Sequence, residues 1–548
     1  MQAVRPTAAS HPTFRLMTDE TPVFATAAVA APHDLAAATG EIILAQGGNA
    51  IEAMIAIAAT IAVVYPHMNA IGGDGFWLVH EPGGRVHAIE ACGPAGGLAT
   101  ISRYRERGYD MIPPRGPDAA VTVAGAVAGW SLALDMARAF GGKLPRELLL
   151  ADAIRLAQEG YPVSSSEAGY TYKEWDALAT APGFAPAFLS EGRMPEAGTL
   201  RRMTALADTL GQLSHAGFDD FYRGDIGREI AADLERIGSP IVRKDLESYR
   251  ARVVKPLSLG TRHGTLYNLP PPTQGLASLL IFGIFERLGV WSGEGIAHHH
   301  GLIEATKRAF AIRDRVVTDP DFATEDPDAF LTEAVLAREA ARIDMTRAAP
   351  FPLPREADGD TVWMGAIDGT GLAVSYIQSV FWAFGSGCVL PATGIHWQNR
   401  GMAFSLDPSS RNPLMPGRRP FHTLNPALAV FRDGRVAPYG AMGGEGQAQF
   451  QTQVFTRYAD FGMSPAQAVD APRWLLGRAW QAPAPTLKME SRFDPALIRA
   501  LAALGHDVEE LDRPYANTVG HAGLLVKHPG GRVEAAHDPR SDGGARGL

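Results

Sequence analysis

The sequence predicts an α+β fold in which antiparallel sheets are enclosed in layers by helices, and three observations point to it. One hairpin plan recurs four times along the chain. The strand that follows Asp360 is apolar on both of its faces. Helices with recognisable caps lie between the hairpins.

In chain order, Asn49 to Val64 follows Gly47-Gly48 with the apolar pattern of a helix. Phe76 to His80, the turn Glu81-Pro82-Gly83-Gly84 and Arg85 to Ile89 read as the first hairpin. Glu304 to Arg315 reads as an amphipathic helix built on Ile303, Ala305, Ala309, Phe310 and Ile312. The stretch from Ala349 to Asp360 is rich in proline and charge, so it reads as an exposed connection. Val362 to Ile367, Asp368-Gly369-Thr370-Gly371 and Leu372 to Ile377 make the second hairpin. Its first strand sets Val362, Met364 and Ala366 against Trp363 and Ile367, the pattern of a strand covered on both sides, which makes this sheet a middle layer.

Leu428 to Phe431 and Val436 to Tyr439 flank Arg432-Asp433-Gly434 as a third hairpin, and Leu524 to Val526 turns through Pro529-Gly530-Gly531 into Val533 as a fourth. Between them, Ser464-Pro465 and Asp494-Pro495 pair an N-cap residue with proline at the first helical position, and Gly505 is a stop for the second of these helices.

Composition narrows the function classes. The 548 residues include 59 Gly and 40 Pro, about 18%, below the ~25–30% that marks low complexity. A net charge of −9 without a basic run argues against nucleic acid as a partner. Two cysteines, Cys92 and Cys388, exclude a multi-bridge scaffold and a multi-cysteine metal site. Met1 to Thr21 lacks a continuous apolar stretch, and the run from Ala53 to Tyr65 is too short to span a bilayer, so a soluble, cytoplasmic protein without membrane contact is expected.

Four features could carry chemistry. Ile71-Gly72-Gly73-Asp74-Gly75 and Gly440-Ala441-Met442-Gly443-Gly444-Glu445-Gly446 lack the Lys-Ser/Thr ending of a phosphate loop and the setting of a dinucleotide fold. They read either as close backbone packing or as backbone N–H groups gathered into an oxyanion hole. His298-His299-His300 points in different directions on a helix, with Glu304 alone at helical spacing, so polar residues at a helix start are favoured over a metal site. No Gly-x-Ser-x-Gly elbow occurs, and both cysteines sit in apolar or Gly-rich contexts typical of inert thiols.

Several segments resemble the γ-glutamyltranspeptidase family in the expected order. They are Ala25 to His33, Leu44 to Ala50, Ile71 to Phe76, Val123 to Trp130, Leu269-Pro270-Pro271-Pro272-Thr273-Gln274-Gly275, Glu304 to Phe310 with Arg313-Asp314, and Asp538 to Ala545. The resemblance implies a four-layer αββα sandwich of the N-terminal nucleophile hydrolases. It further implies a precursor that cuts itself between Asp360 and Thr361, giving a large chain of residues 1–360 and a small chain of residues 361–548 that associate as one body, with any higher oligomer left open. Thr361 would then supply the nucleophilic hydroxyl and its freed α-amine the base, since an α-amine with pKa ~7.7–8.0 is partly neutral near physiological pH. Gly443 and Gly444 match the family's oxyanion pair. No cofactor and no metal is expected.

Departures from the glutamyl-binding pattern bear on the substrate. Ser375-Tyr376-Ile377-Gln378-Ser379 stands where those members read Thr-Tyr-Thr-Leu-Asn, Met402-Ala403-Phe404 stands where they carry an ammonium-binding Asp-Asp-Phe, and His422-Thr423 replaces a Ser-Ser pair. The loop Leu406 to Arg419 is also shorter than the lid of glutathione-cleaving members. Thr361 to Gly365, Tyr376 to Ser379, Phe384 to Gly387 and Trp397-Gln398-Asn399-Arg400-Gly401 are similar to the oxamate amidohydrolase branch. That similarity implies a small anionic amide as substrate, with Arg400, Asn399, His422, Thr423 and Ser379 around it. An arginine in place of a carboxylate favours an anion over an amino acid, although Arg400 paired structurally with an acid is the competing reading. The family's early carboxylate-binding arginine is expected after Pro94-Ala95, which makes Arg103 the candidate. A γ-glutamyl hydrolase or transpeptidase, a β-lactam side-chain acylase and an uncleaved binding homologue are the alternatives.

Overall fold

The computed structural model describes residues 20–351, 360–478 and 484–548. Most of the proline-rich connection, residues 352–359, and the N-terminal residues 1–19 used in the leader reading lie outside the described residues.

All four expected hairpins are present: Asp74–His80 with Val86–Ala91, Asp360–Ile367 with Ala373–Phe381, Ala427–Phe431 with Val436–Ala441, and Ala522–Lys527 with Val533–His537. They are distributed over two seven-stranded antiparallel sheets. One sheet runs in the order Gly544–Gly547, Ala28–Ala31, Asp360–Ile367, Ala373–Phe381, Asp74–His80, Val86–Ala91, Arg252–Val254. The other runs Val23–Phe24, Val533–His537, Ala522–Lys527, Val436–Ala441, Ala427–Phe431, Gly264–Asn268, Leu257–Gly260. Each sheet therefore combines strands from before and after Thr361.

The sheets stack face to face. Trp363, Ile367, Phe76, Leu78, Ile377, Leu428 and Leu525 form the apolar layer between them. Trp363 needs glycine opposite it: a Cβ at Gly440 or at Gly523 would come within 2.1 Å of its ring. On the outer face of the same strand, Val362, Met364 and Ala366 join the core beneath the helix Ala50–Val64, so both faces are covered as the alternation predicts. Helices Gly275–Glu286 and Gly446–Ala459 cover the second sheet, which completes four layers. No described helix is long and apolar enough to cross a membrane.

Local capping follows the sequence. Asn49 accepts from the Glu52 N–H while Glu52 returns a bond to the Asn49 N–H. Ser464 caps Pro465–Asp470, and Asp494 caps Pro495–Ala503 before Gly505 at φ +99°. The helix expected from Glu304 begins earlier, at Ile296, and ends at Val316. His298, His299 and His300 thus lie inside its first turns and are buried against neighbouring elements, a setting their polarity conceals.

Candidate active site

Beyond the apolar layer, at one end of the inter-sheet space, the same three strands carry a polar row. Trp363, Ile377 and Phe76 stand in register across the sheet, and one step further along come Thr361, Ser379 and Asp74. Side chains two apart on a strand share a face, so Ser379 and Asp74 turn into the space between the sheets like Ile377 and Phe76. The Thr361 hydroxyl donates to Ser379 Oγ at 3.2 Å, which places it there as well.

Thr361 sits where strand pairing breaks. Asp360 opposes Phe381 and Val362 opposes Gln378, so the register shifts across residue 361, as at a β-bulge, a device that re-aims a side chain. Phe381 has φ +80°, an uncommon conformation for a bulky residue that costs about 1–3 kcal/mol. It is held by its N–H bond to Ser379 Oγ at 2.8 Å and by the Arg400 guanidinium, 3.4 Å from its ring centroid.

Arg400 is 2% exposed and donates to the Phe421 carbonyl at 3.0 Å, which brings it beside His422. Its charge also acts on the buried Asp74 carboxyl. His422 is fully buried, lies 3.6 Å from Asp74 Oδ2, packs edge-on to Phe76, and among the described residues forms no hydrogen bond through either ring nitrogen. Burial, reinforced by the Arg400 charge, pushes its pKa well below the usual histidine value, so the ring is neutral. Asp74 Oδ1 accepts from the Gly93 and Gly125 N–H groups at 3.2 and 3.0 Å. Burial nevertheless holds its carboxyl up at about 7, against the pull of Gln398, these N–H groups and Arg400. Thr423 Oγ1 is buried and also without a hydrogen bond. Several unsatisfied polar atoms gathered in one place are what a polar ligand would satisfy.

The second glycine run faces this row from the opposite sheet. Trp363 stands against Gly440 and Gly523, and Ser375, which pairs with Gly365, donates to Tyr439 O, so stepping from Gly365 through Trp363 to Thr361 leads from Tyr439 through Gly440 towards Met442, whose N–H donates to His521 O at 2.8 Å. Gly443 and Gly444 follow, with φ +118° and +53°. Among the described residues neither of their N–H groups donates a hydrogen bond. The first run packs closely instead: a Cβ at Gly72 or Gly73 would come within 2.2 and 2.1 Å of the His396 and Ser379 carbonyls.

Two expected residues sit elsewhere or act differently. Arg103 donates to Gly238 O at 2.7 Å and lies 3.6 Å from Asp118, and none of its described contacts is to the residues around Thr361. Asn399 is a buried brace: it accepts from the Trp382 N–H and donates to Pro114 O. In the sequence Asp74 stands out only as part of a glycine motif, because strand register alone brings it to Ser379.

The histidine run contributes to two ligand-like clusters, Glu294-His298-His299 and His300-Glu304-His506. Each acid in them already holds a cation at 2.7 Å, Glu294 pairing with Arg457 and Glu304 with Lys307. They read as internal ion-pair networks. Cys92 and Cys388 are both free and buried, and burial raises their pKa, to about 12 for Cys388, which suits inert thiols.

A four-layer αββα sandwich with a hydroxyl at a strand end and paired glycines opposite defines the class: an N-terminal nucleophile hydrolase acting on amide bonds. The γ-glutamyltranspeptidase family model matches residues 36–548, and the chain belongs to that family. It is 50% identical over 519 residues to the oxamate amidohydrolase proenzyme of Klebsiella pneumoniae, covering 94% of this chain and 98% of that one. It is 38% identical over 523 residues to the glutathione hydrolase-like YwrD proenzyme of Bacillus subtilis, covering 95% and 98%. Its fold superposes on a crystal structure of cephalosporin acylase from Bacillus halodurans with a TM-score of 0.89, at 33% identity and 99% coverage of both chains.

Proposed function

We propose that the chain is a precursor that cleaves itself between Asp360 and Thr361 and then hydrolyses a small carboxylate-bearing amide of the oxamate type. The observation that carries this reading is Thr361 itself, placed at a strand start where the register shifts, with its hydroxyl on Ser379 and Arg400 stacked on Phe381, the residue that opposes Asp360. The relatives named as proenzymes support the processing step, and the Klebsiella relative supports the substrate class. Because both sheets mix strands from residues 1–360 and 361–548, the two products stay associated.

In the proposed reaction the freed α-amine of Thr361 takes the proton from Oγ as Oγ attacks the amide carbonyl. The N–H groups of Gly443 and Gly444 receive the developing oxyanion. Collapse breaks the C–N bond, the α-amine returns the proton to the departing amine, and water then attacks the threonyl ester by the same route. Arg400, with neutral His422 beside it, suits the substrate carboxylate. Thr423 Oγ1 and the ring nitrogens of His422 supply the remaining polar contacts.

Release of ammonia from oxamate, compared with release from γ-glutamyl anilide and a glutaryl amide, tests the substrate class. Turnover of oxamate above the others is expected. Turnover of the glutamyl or glutaryl compound alone would replace this reading with a γ-glutamyl hydrolase or an acylase.

A further inference from the structure

We propose that Gln274 is a positioning residue that ties the oxyanion turn to the segment His422–Thr423, so that one side chain aligns the Gly443–Gly444 donors with the pocket there. The inference rests on the reading of those glycines as the oxyanion donors.

Gln274 is fully buried. Its amide nitrogen donates one hydrogen to Thr423 O and the other to Gly444 O, both at 2.9 Å. Its amide oxygen accepts from Arg313 Nη1 at 3.2 Å. The orientation of the amide is thereby specified, since reversing it would set oxygen against two carbonyls and N–H groups against a guanidinium. Arg313 is itself fixed by Asp314 at 2.7 Å, by Glu445 at 3.3 Å and by the Phe310 ring beneath it. The backbone repeats the tie: the Gln274 N–H donates to His422 O and the His422 N–H donates to Pro272 O, both at 2.8 Å.

Such a tie is needed because of what it holds. Two successive glycines at positive φ have the greatest backbone freedom of any residues, whereas oxyanion donors work only when they are aimed before the charge develops. The carbonyl of Gly444, pinned by Gln274, fixes the turn that carries both N–H groups. The same amide pins Thr423, so donors and pocket move together or not at all.

The test uses Gln274→Glu and Gln274→Met in the full chain, with rates on the parent's best amide normalised to the cleaved fraction. Glutamate keeps the volume and an acceptor for Arg313, and methionine the volume alone; each removes both donors to the two carbonyls, so the thermal midpoint falls in both. Assayed well below each variant's thermal midpoint, the expected result is a kcat about tenfold to a hundredfold lower with KM within about threefold, because misaimed donors cost less than the ~10²–10³ of a lost one. A kcat within twofold of the parent in the glutamate variant overturns the proposal. So does a loss in which kcat and KM change together by similar factors in that variant, the mark of a purely structural role. Failure of the functional reading looks different, since a parent chain that neither cleaves nor turns over an amide shows it before any variant is compared.

Discussion

Asp74→Asn tests the electrostatics of the polar row quantitatively. The folded chain holds the Asp74 proton up to about pH 7, whereas an unperturbed aspartate loses it near 3.8. The folded state therefore binds this proton more tightly than the unfolded state. Below pH ~3.8 both states keep it and burial costs nothing through ionisation. From there up to about pH 7 the unfolded state is progressively favoured, and above pH 7 the full cost is present. At ~1.4 kcal/mol per pH unit, the interval corresponds to roughly 4 kcal/mol. Asparagine stays neutral, and its carbonyl oxygen can still accept from the Gly93 and Gly125 N–H groups. Thermal unfolding of parent and variant from pH 4 to pH 8 is the assay. The curves should coincide near pH 4 and separate to a gain of up to about 8 °C for the variant at pH 8, at ~2 °C per kcal/mol for a chain of this size. A constant offset across the range would refute the reasoning, because it would mean that the carboxyl titrates alike in both states.

Other expectations follow from the same geometry. Ser379→Ala removes the acceptor for the Thr361 hydroxyl and the Phe381 N–H; it should slow self-cleavage, read on gels over time, and destabilise the fold by about 1–3 kcal/mol for a buried N–H left unpaired. Arg400→Lys discards the planar group stacked on Phe381, so KM for the anionic amide should rise about tenfold while a neutral amide is affected less. Gly523→Ala drives a methyl into the Trp363 ring and should cost about 1–3 kcal/mol in denaturant unfolding.

How far the sequence revealed this molecule depends on the distance over which each signal acts. Hairpins and caps were legible because Pro82-Gly83-Gly84, Asp433-Gly434 and Ser464-Pro465 act on their own neighbours. Thr361, the glycine pair and Arg400 enter the proposed reaction through resemblance. The length of the helix from Ile296 was not, because buried histidines imitate a polar boundary. Nor was the match of Trp363 to Gly440 and Gly523, or the approach of Asp74 to His422, because sheet packing creates both and no local pattern encodes either. Gln274 lies in the Pro-rich segment Leu269 to Gly275, but its role depends on two carbonyls about 150 and 170 residues away.

Both the nucleophile and its base depend on cleavage of the bond before Thr361. Intact-mass measurement of the purified protein should find two chains, residues 1–360 and 361–548, the smaller beginning with threonine, and a single chain in Thr361→Ala. A parent that remains one chain of 58.4 kDa and still hydrolyses amides would contradict it.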